Sequence, residues 1–298
     1  MEIGIISVPK AKLYELSYKE DSLADQSLVA DEVLSGWAVG ILERRGAFLR
    51  VVTHYGYEGI LEKTSLLPAG ECQPELRFSP KCFLIRSLRV DLMSIPSVKG
   101  RVLQTLFAGS FVVLKESEAE NGYCRVLTAD GTCGFVPCIS ISERRDSDGY
   151  LLNNRPKNYF LRQIPYLRQP QEVLREDVTR WAKRYLDTQY RWGGKTADGI
   201  DCSGLTFMSY FFCGILIYRD AHIQMGYPVK QISIADRKKG DLLFFPGHVA
   251  MYLGNEQYIH ATAYEKNFCC VINSLSPADA NYRPDLVEKL EAVGSVFV

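Results

Sequence analysis

Cys202 is the residue whose setting most suggests chemistry. It stands in Tyr190-Arg191-Trp192-Gly193-Gly194-Lys195-Thr196-Ala197-Asp198-Gly199-Ile200-Asp201-Cys202-Ser203-Gly204-Leu205. Turn formers precede it, and it heads an apolar run that reads as a helix from Cys202 to Cys213. The thiolate is the reactive form of cysteine, and a helix N-terminus favours negative charge, so the position is expected to lower the thiol pKa. An arbitrary cysteine is usually a small inert core residue. Two histidines further along the chain argue for a working one here.

The chain has four histidines: His54, His222, His248 and His260. His248 opens the strand-like run G-H-V-A-M-Y-L-G and His260 lies in Y-I-H-A. A cysteine peptidase needs an imidazole to take the thiol proton and later protonate the leaving amine. A third group must hold that imidazole's tautomer and orientation. His248 suits the base and His260 the orienting role. Tyr258, His260 and Thr262 share one strand face by alternation. Whether His248 joins them depends on the Gly254-Asn255-Glu256 turn; an odd-length loop or a bulge would bring both histidines to one side.

Elements must hold these residues in place. Val178, Trp181, Ala182, Tyr185 and Leu186 fall at helical spacing, and a Gly-rich loop and the Cys202 helix follow. Asp241–Phe245, His248–Leu253 and Gln257–Thr262 read as consecutive strands. The C-terminal part, residues 150–298, is therefore expected to be an α+β domain, helices first and then an antiparallel sheet. Upstream, Val33 to Leu61 and Val102 to Val136 look alike. Each has an apolar strand, a polar turn, an aromatic followed by Arg-Val, a second turn, then Gly and an apolar pair. Short strands between Gly, Asn and Asp turns suggest two small antiparallel barrels, at residues 1–70 and 78–142. Glu143 to Pro170 is polar, holds Pro156, Pro165 and Pro170, and reads as a linker.

The ordered set of Tyr190 to Leu205, Arg219-Asp220-Ala221 with Gln224, Gly240 to Phe245, His248 to Gly254 and Tyr258 to Ala261 resembles the NlpC-type papain-like peptidases of bacterial cell-wall metabolism. The N-terminal pattern resembles tandem bacterial SH3-like domains. Together the chain resembles the γ-D-glutamyl-L-diamino-acid endopeptidases that trim murein peptides. The resemblance implies a papain-like α+β catalytic domain preceded by two all-β SH3-like barrels, with Cys202, His248 and His260 as triad. It also implies Tyr190 beside the nucleophile, stabilising the oxyanion with nearby backbone N–H groups, and Trp192 lining the same pocket.

The resemblance further implies a substrate, murein stem peptides with a free N-terminal L-alanine, L-Ala-γ-D-Glu-diamino acid. Asp201 and Ser203 would hold the amine, Asp220 would support the pocket, and Tyr57 would close that end from the first barrel. Tyr57 sits in Y-G-Y-E-G-I, similar to the family's D-G-Y-E-G-W, with Tyr55 as the alternative and Ile60 in place of the Trp. A first-barrel acid, Glu20 or Asp21, is a further candidate. A buried ammonium needs a carboxylate, and a blocked amine would collide with a closed end.

Lys+Arg and Asp+Glu number 35 each in the 298 residues, and 47% of residues are hydrophobic. That balance supports a real core and gives no argument for a nucleic-acid or membrane partner. No apolar stretch approaches a membrane span. No H-E-x-x-H or paired-cysteine set points to a metal, no glycine fingerprint points to a nucleotide, and no cofactor is expected. The nine cysteines show no C-x-x-C pattern and are expected to be mostly free and buried in a reducing compartment. Met1 to Lys10 lacks a signal-peptide pattern, so a cytoplasmic protein recycling wall fragments is expected, or an exported one if a signal has been removed. Three alternatives compete. Two are a muramoyl-L-alanine amidase and a general murein endopeptidase on the same fold; the third is a non-catalytic wall-peptide binding protein.

Overall fold

The protein was analysed as a computed structural model, which describes residues 2–18, 25–68, 82–116, 120–143, 159–162 and 169–298. Glu20, Asp21, Cys72 and most of the linker expectation, including Pro156 and Pro165, lie outside the described residues. The chain divides into two compact units, Met1–Arg155 and Pro156–Val298.

The first unit holds two sheets of seven strands each. One is built from β1 (Glu2–Ile6), β2 (Lys10–Tyr14), β3 (Val29–Leu34), β4 (Ala38–Arg45), β5 (Phe48–Thr53), β6 (Glu58–Glu62) and β7 (Leu66–Pro68). The other uses β8 (Cys82–Ile85), β9 (Arg89–Met93), β10 (Val102–Phe107), β11 (Phe111–Leu114), β12 (Tyr123–Leu127), β13 (Cys133–Pro137) and β14 (Ile141–Glu143). Their strand orders are β3-β2-β6-β5-β4-β1-β7 and β10-β9-β13-β12-β11-β8-β14. Each strand of the second takes the place of the strand seven earlier in the first, so the sequence repeat is a repeat of topology. Alternating residues of the second sheet, among them Val90, Leu92, Leu106, Val126 and Val136, build its core. The sheets meet through turns: Phe111 N–H donates to Ser35 O at 2.9 Å, and Trp37 Nε1 donates to Gly109 O at 2.7 Å. Gly36 at that contact has φ +83, and a Cβ there would lie 2.8 Å from Phe111 Cβ.

Six of the eight described cysteines are free, as expected of most, and one pair in this unit is not. Cys124 and Cys138 form a disulfide, and Cys133 is exposed. The strand pairing of β12 with β13 brings Cys124 near the residue just past β13, a closeness that a spacing of 14 residues does not reveal.

In the second unit a 3-10 turn, Phe160–Arg162, precedes helix α1 (Gln171–Lys183). Leu174, Val178 and Ala182 repeat every four residues and are buried, and Trp181 stacks on Phe212 with ring centroids 3.9 Å apart. Tyr185 is buried as expected, whereas Leu186 is 38% exposed because the helix has already ended. A short hairpin of β15 (Lys195–Thr196) and β16 (Gly199–Ile200) leads into α2 (Cys202–Phe211). The helix stops two residues before Cys213, and Gly214 follows with φ +79, a left-handed residue that ends helices.

The rest is an antiparallel sheet of β17 (Lys230–Ile232), β18 (Leu242–Phe245), β19 (His248–Gly254), β20 (Gln257–Ala261), β21 (Cys270–Ser274) and β22 (Ala292–Ser295), with the short α3 (Pro284–Val287) before the last strand. Its order is β17-β22-β18-β19-β20-β21. α1 and α2 precede the sheet, and α2 packs against β19 and β20. A buried polar knot ties α1 to the sheet: Asp241 accepts from Arg175 at 2.9 Å and from Ser295 Oγ at 2.6 Å.

Candidate active site

Cys202 is the first residue of α2, and Asp201 is its N-cap, accepting from Gly204 N–H at 2.6 Å. The local sequence dictates this close fit. A Cβ on Gly204 would lie 2.2 Å from Gly194 O, and one on Gly194 would lie 2.4 Å from Gly199 O. Only glycines let the Gly193-Gly194 loop lie against the first turn of the helix. Cys202 is 6% exposed. The backbone N–H groups of Ser203 and Val249 act on its thiol, and α2 packs against β19, the strand that His248 opens.

The strand register decides the histidines. Tyr252 pairs with Tyr258, but the next pair is Gly254 with Gln257, so Leu253 is an extra residue in β19. With that bulge, His248 and His260 fall on the same face. Pairing set by Gly254 and Gln257 alone would put Met251 opposite His260 and turn His248 to the other side. Asn255 and Glu256 complete the hairpin with φ of 51° and 59°. His248 Nε2 and His260 Nδ1 come to 2.7 Å, and His260 Nε2 lies 2.9 Å from Asn273 Oδ1.

The electrostatics differ from the expectation for a helix N-terminus. Burial, with the Asp201 carboxylate adding to it, pushes the Cys202 thiol up to about 12. The two backbone N–H groups and Arg219 act in the opposite direction but are outweighed. Burial lowers His248 from 6.5 to about 4, and Arg283 adds to the effect against Asp201. His260, with no exposed surface, is lowered to about 3 by burial and by His248. Burial thus favours the neutral form of the thiol and of both imidazoles. Burial also raises Tyr190, and the neighbouring Cys202 and Asp201 raise it further, so its hydroxyl stays protonated.

The remaining expected residues fall into two groups. Asp201, Ser203 and Tyr190 lie together around Cys202. Asp201 is more committed than the sequence suggested: Arg219, 1% exposed, binds both carboxylate oxygens at 3.0 and 2.9 Å. Arg219 also donates to Ser203 Oγ at 2.6 Å. A substrate amine would therefore share Asp201 with a guanidinium already paired to it. Asp220 lines a recess with Thr206, Tyr218, His222, Gln224 and Val249, the last of which also acts on Cys202. Trp192 is half-exposed on its loop. Tyr57 lies in the first unit, half-buried between β5 and β6, its N–H donating to Thr53 Oγ1 at 2.9 Å. The alternative, Tyr55, is buried and donates its hydroxyl to Asp31. Ile60, at the family's Trp position, packs with Tyr14 and Val29. Among the described residues, no group of three or more His, Cys, Asp or Glu side chains is placed to hold a metal ion.

Sequence reasoning missed three participants. Arg219 was visible in the Arg219-Asp220-Ala221 segment, where a cation near an acid beside the nucleophile was the available signal. Asn273 lies in an ordinary strand pattern, and the Val249 N–H is backbone, so neither had one.

A buried thiol at a helix start, an imidazole on the adjoining strand and a second imidazole behind it define a cysteine peptidase. The NlpC/P60 family pattern matches residues 187–277, which contain all three groups. Over 274 residues the chain is 34% identical to "Dipeptidyl-peptidase 6" of Lysinibacillus sphaericus, covering 90% of this chain and 92% of that one. It is 24% identical over 261 residues to "Gamma-D-glutamyl-L-lysine dipeptidyl-peptidase" of Bacillus cereus, covering 82% and 71%. The crystal structure of an NlpC/P60 family protein from Bacillus cereus superposes with a TM-score of 0.72 at 22% identity, covering 98% of each chain. The chain belongs to the NlpC/P60 family and is a peptidase of the cell-wall type.

Proposed function

We propose that the protein hydrolyses the γ-D-glutamyl-L-diamino acid bond of murein stem peptides that carry a free N-terminal L-alanine. The observation that carries the peptidase chemistry is the Cys202–His248–His260 arrangement. The substrate rests on likeness along nearly the whole chain to a protein named as a dipeptidyl-peptidase and on a second named for γ-D-glutamyl-L-lysine. The free-amine rule and the part of Tyr57 in it rest on the motif resemblance. So do the papain-like description of the catalytic unit and the SH3-like description of the two sheets.

The chemistry follows from the neutral resting site. Sγ attacks the γ-carbonyl carbon of D-glutamate while its proton passes to His248. The Tyr190 hydroxyl and backbone N–H groups by Cys202 receive the oxyanion. His248 then protonates the departing amine of the diamino acid, leaving a thioester between Cys202 and L-Ala-D-Glu. Water, deprotonated by His248, cleaves the thioester, and the proton returns to sulfur.

The test is mass spectrometry of products from L-Ala-γ-D-Glu-diaminopimelate beside the same stem joined to its sugar. Release of diaminopimelate from the free peptide supports the proposal. Cleavage between sugar and L-alanine selects the amidase, and equal cleavage of both forms selects a general endopeptidase. A cytoplasmic recycling role is part of the proposal, and the Cys124–Cys138 disulfide is the observation against it. Thiol titration of the denatured protein, isolated with thiols trapped in the cell, decides whether that pair is oxidised in place.

A further inference from the structure

Behind the two histidines runs a chain of hydrogen bonds with one consistent proton arrangement. Asn281 Nδ2 donates to Ile272 O at 3.1 Å, and Ser274 N–H donates to Asn281 O at 3.1 Å, so the Asn281 carbonyl is held from two sides. Asn273, 8% exposed, donates its Nδ2 to that carbonyl at 2.8 Å. A carbonyl can only accept, so the amide group must face it and Oδ1 must face His260. Oδ1 in turn can only accept, so His260 carries its proton on Nε2. The other ring nitrogen, Nδ1, is then a bare acceptor, and the 2.7 Å contact requires His248 to donate from Nε2. That leaves the lone pair of neutral His248 on Nδ1. With both rings neutral, every other arrangement sets two acceptors or two donors face to face inside a buried network, where an unmade bond is costly.

We propose that Asn273 is a positioning residue for catalysis: through His260 it holds the base His248 in the tautomer whose Nδ1 can accept the Cys202 proton. When His248 becomes imidazolium, its Nε2–H still donates to neutral His260, so the relay survives the proton transfer. Arg283 acts on both rings and Asp285 on His260, and the two hydrogen-bond to each other. The role differs from holding the sheet together, because it requires an acceptor toward His260 and does not require the bond to Asn281.

That difference supplies the test, which depends on the peptidase reading for its kinetic arm alone. Two-bond proton–nitrogen NMR of the histidine rings in the substrate-free protein reads which nitrogen carries each proton. The expected spectrum has both His248 and His260 protonated on Nε2. A His260 proton on Nδ1 in the wild-type protein overturns the proposal whatever the variants do. In the kinetic arm, Asn273→Leu removes the acceptor at similar size, while Asn273→Asp keeps it and disturbs the Asn281 contact. Asn273→Leu is expected to lose roughly 100-fold or more in kcat with KM little changed, the scale of a misdirected general base. Asn273→Asp is expected to stay within about tenfold of wild type, since the acceptor is what the base needs. Equal losses in both variants, or wild-type kcat in a folded Asn273→Leu protein, would show a structural role and sink the proposal.

Discussion

His248 Nε2 and His260 Nδ1 stand 2.7 Å apart across a pair of strands, and they share one side because Leu253 bulges out of the pairing. The hairpin consequently sets which face of the sheet His248 occupies. Deleting Leu253 makes the pairing regular while Tyr252 stays opposite Tyr258, so His248 keeps its face. Inserting one residue between Val249 and Ala250 turns His248 to the other face instead. The expected outcome of the insertion is a loss of about 100-fold or more in kcat/KM, the scale seen when a catalytic group is misplaced by an ångström. Circular dichroism would show the sheet retained. Near-normal turnover by the lengthened strand would show that this register does not set the base.

Cys202→Ser should fold normally and lose hydrolysis, because the change is nearly isosteric and an alkoxide is much harder to form. His248→Ala should match it. His260→Ala should lose less, since water can partly replace an orienting group. Steady-state rates on the free stem peptide check this order, and a more damaging His260→Ala would reverse the two roles.

The pH dependence has a definite sign. His248 must be neutral to act as a base, and its folded pKa is lowered to about 4. Activity should therefore persist well below pH 6.5 and fall only as pH drops through about 4. The same shift acts on stability. Between 6.5, the ordinary value, and about 4, the unfolded chain binds protons that the folded chain does not. Stability is then fully present above the upper value and declines as pH falls through this window. One such histidine accounts for on the order of 3 kcal/mol. Denaturant melts across the window check it; a flat profile would mean that the histidines are not buried in the neutral form.

The thiol prediction follows the same logic. With Cys202 pushed up to about 12 by burial and Asp201, alkylation of Cys202 by iodoacetamide should be slow at neutral pH and accelerate into the alkaline range. Rapid alkylation with an inflection below pH 7 would indicate a preformed thiolate and a different first step.

Asp201→Asn should cost about 3–5 kcal/mol of stability, because it leaves the buried Arg219 guanidinium without its counter-charge. Urea denaturation measures this, and an unchanged midpoint would mean that the pair is not buried in solution. Recognition of the substrate amine is therefore better tested on the wild-type enzyme. Acetylating the L-alanine should lower kcat/KM by at least about tenfold to a hundredfold if a charge-assisted contact is lost.

Much of the site could be read directly in the chain. Cys202 as a helix start, His248 at a strand start and His260 on its strand are local facts. They come from turn formers before an apolar run and from alternation along short segments, and such patterns need no partner to be recognised. The likeness of Val33–Leu61 to Val102–Val136 foreshadowed two sheets with one strand order for the same reason.

The rest needed the fold. The shared face of His248 and His260 depends on a bulge at Leu253, and one residue of register reverses every side chain in the strand. The ion pair of Asp201 with Arg219 and the link of His260 to Asn273 join residues 18 and 13 positions apart, distances at which residue type carries no record of contact. The thiol pKa shows the limit most plainly. A helix N-terminus and a nearby arginine both favour the thiolate, and both are written in the sequence. Burial and the orientation of the Asp201 carboxylate outweigh them, and solvent exclusion exists only once the chain has packed.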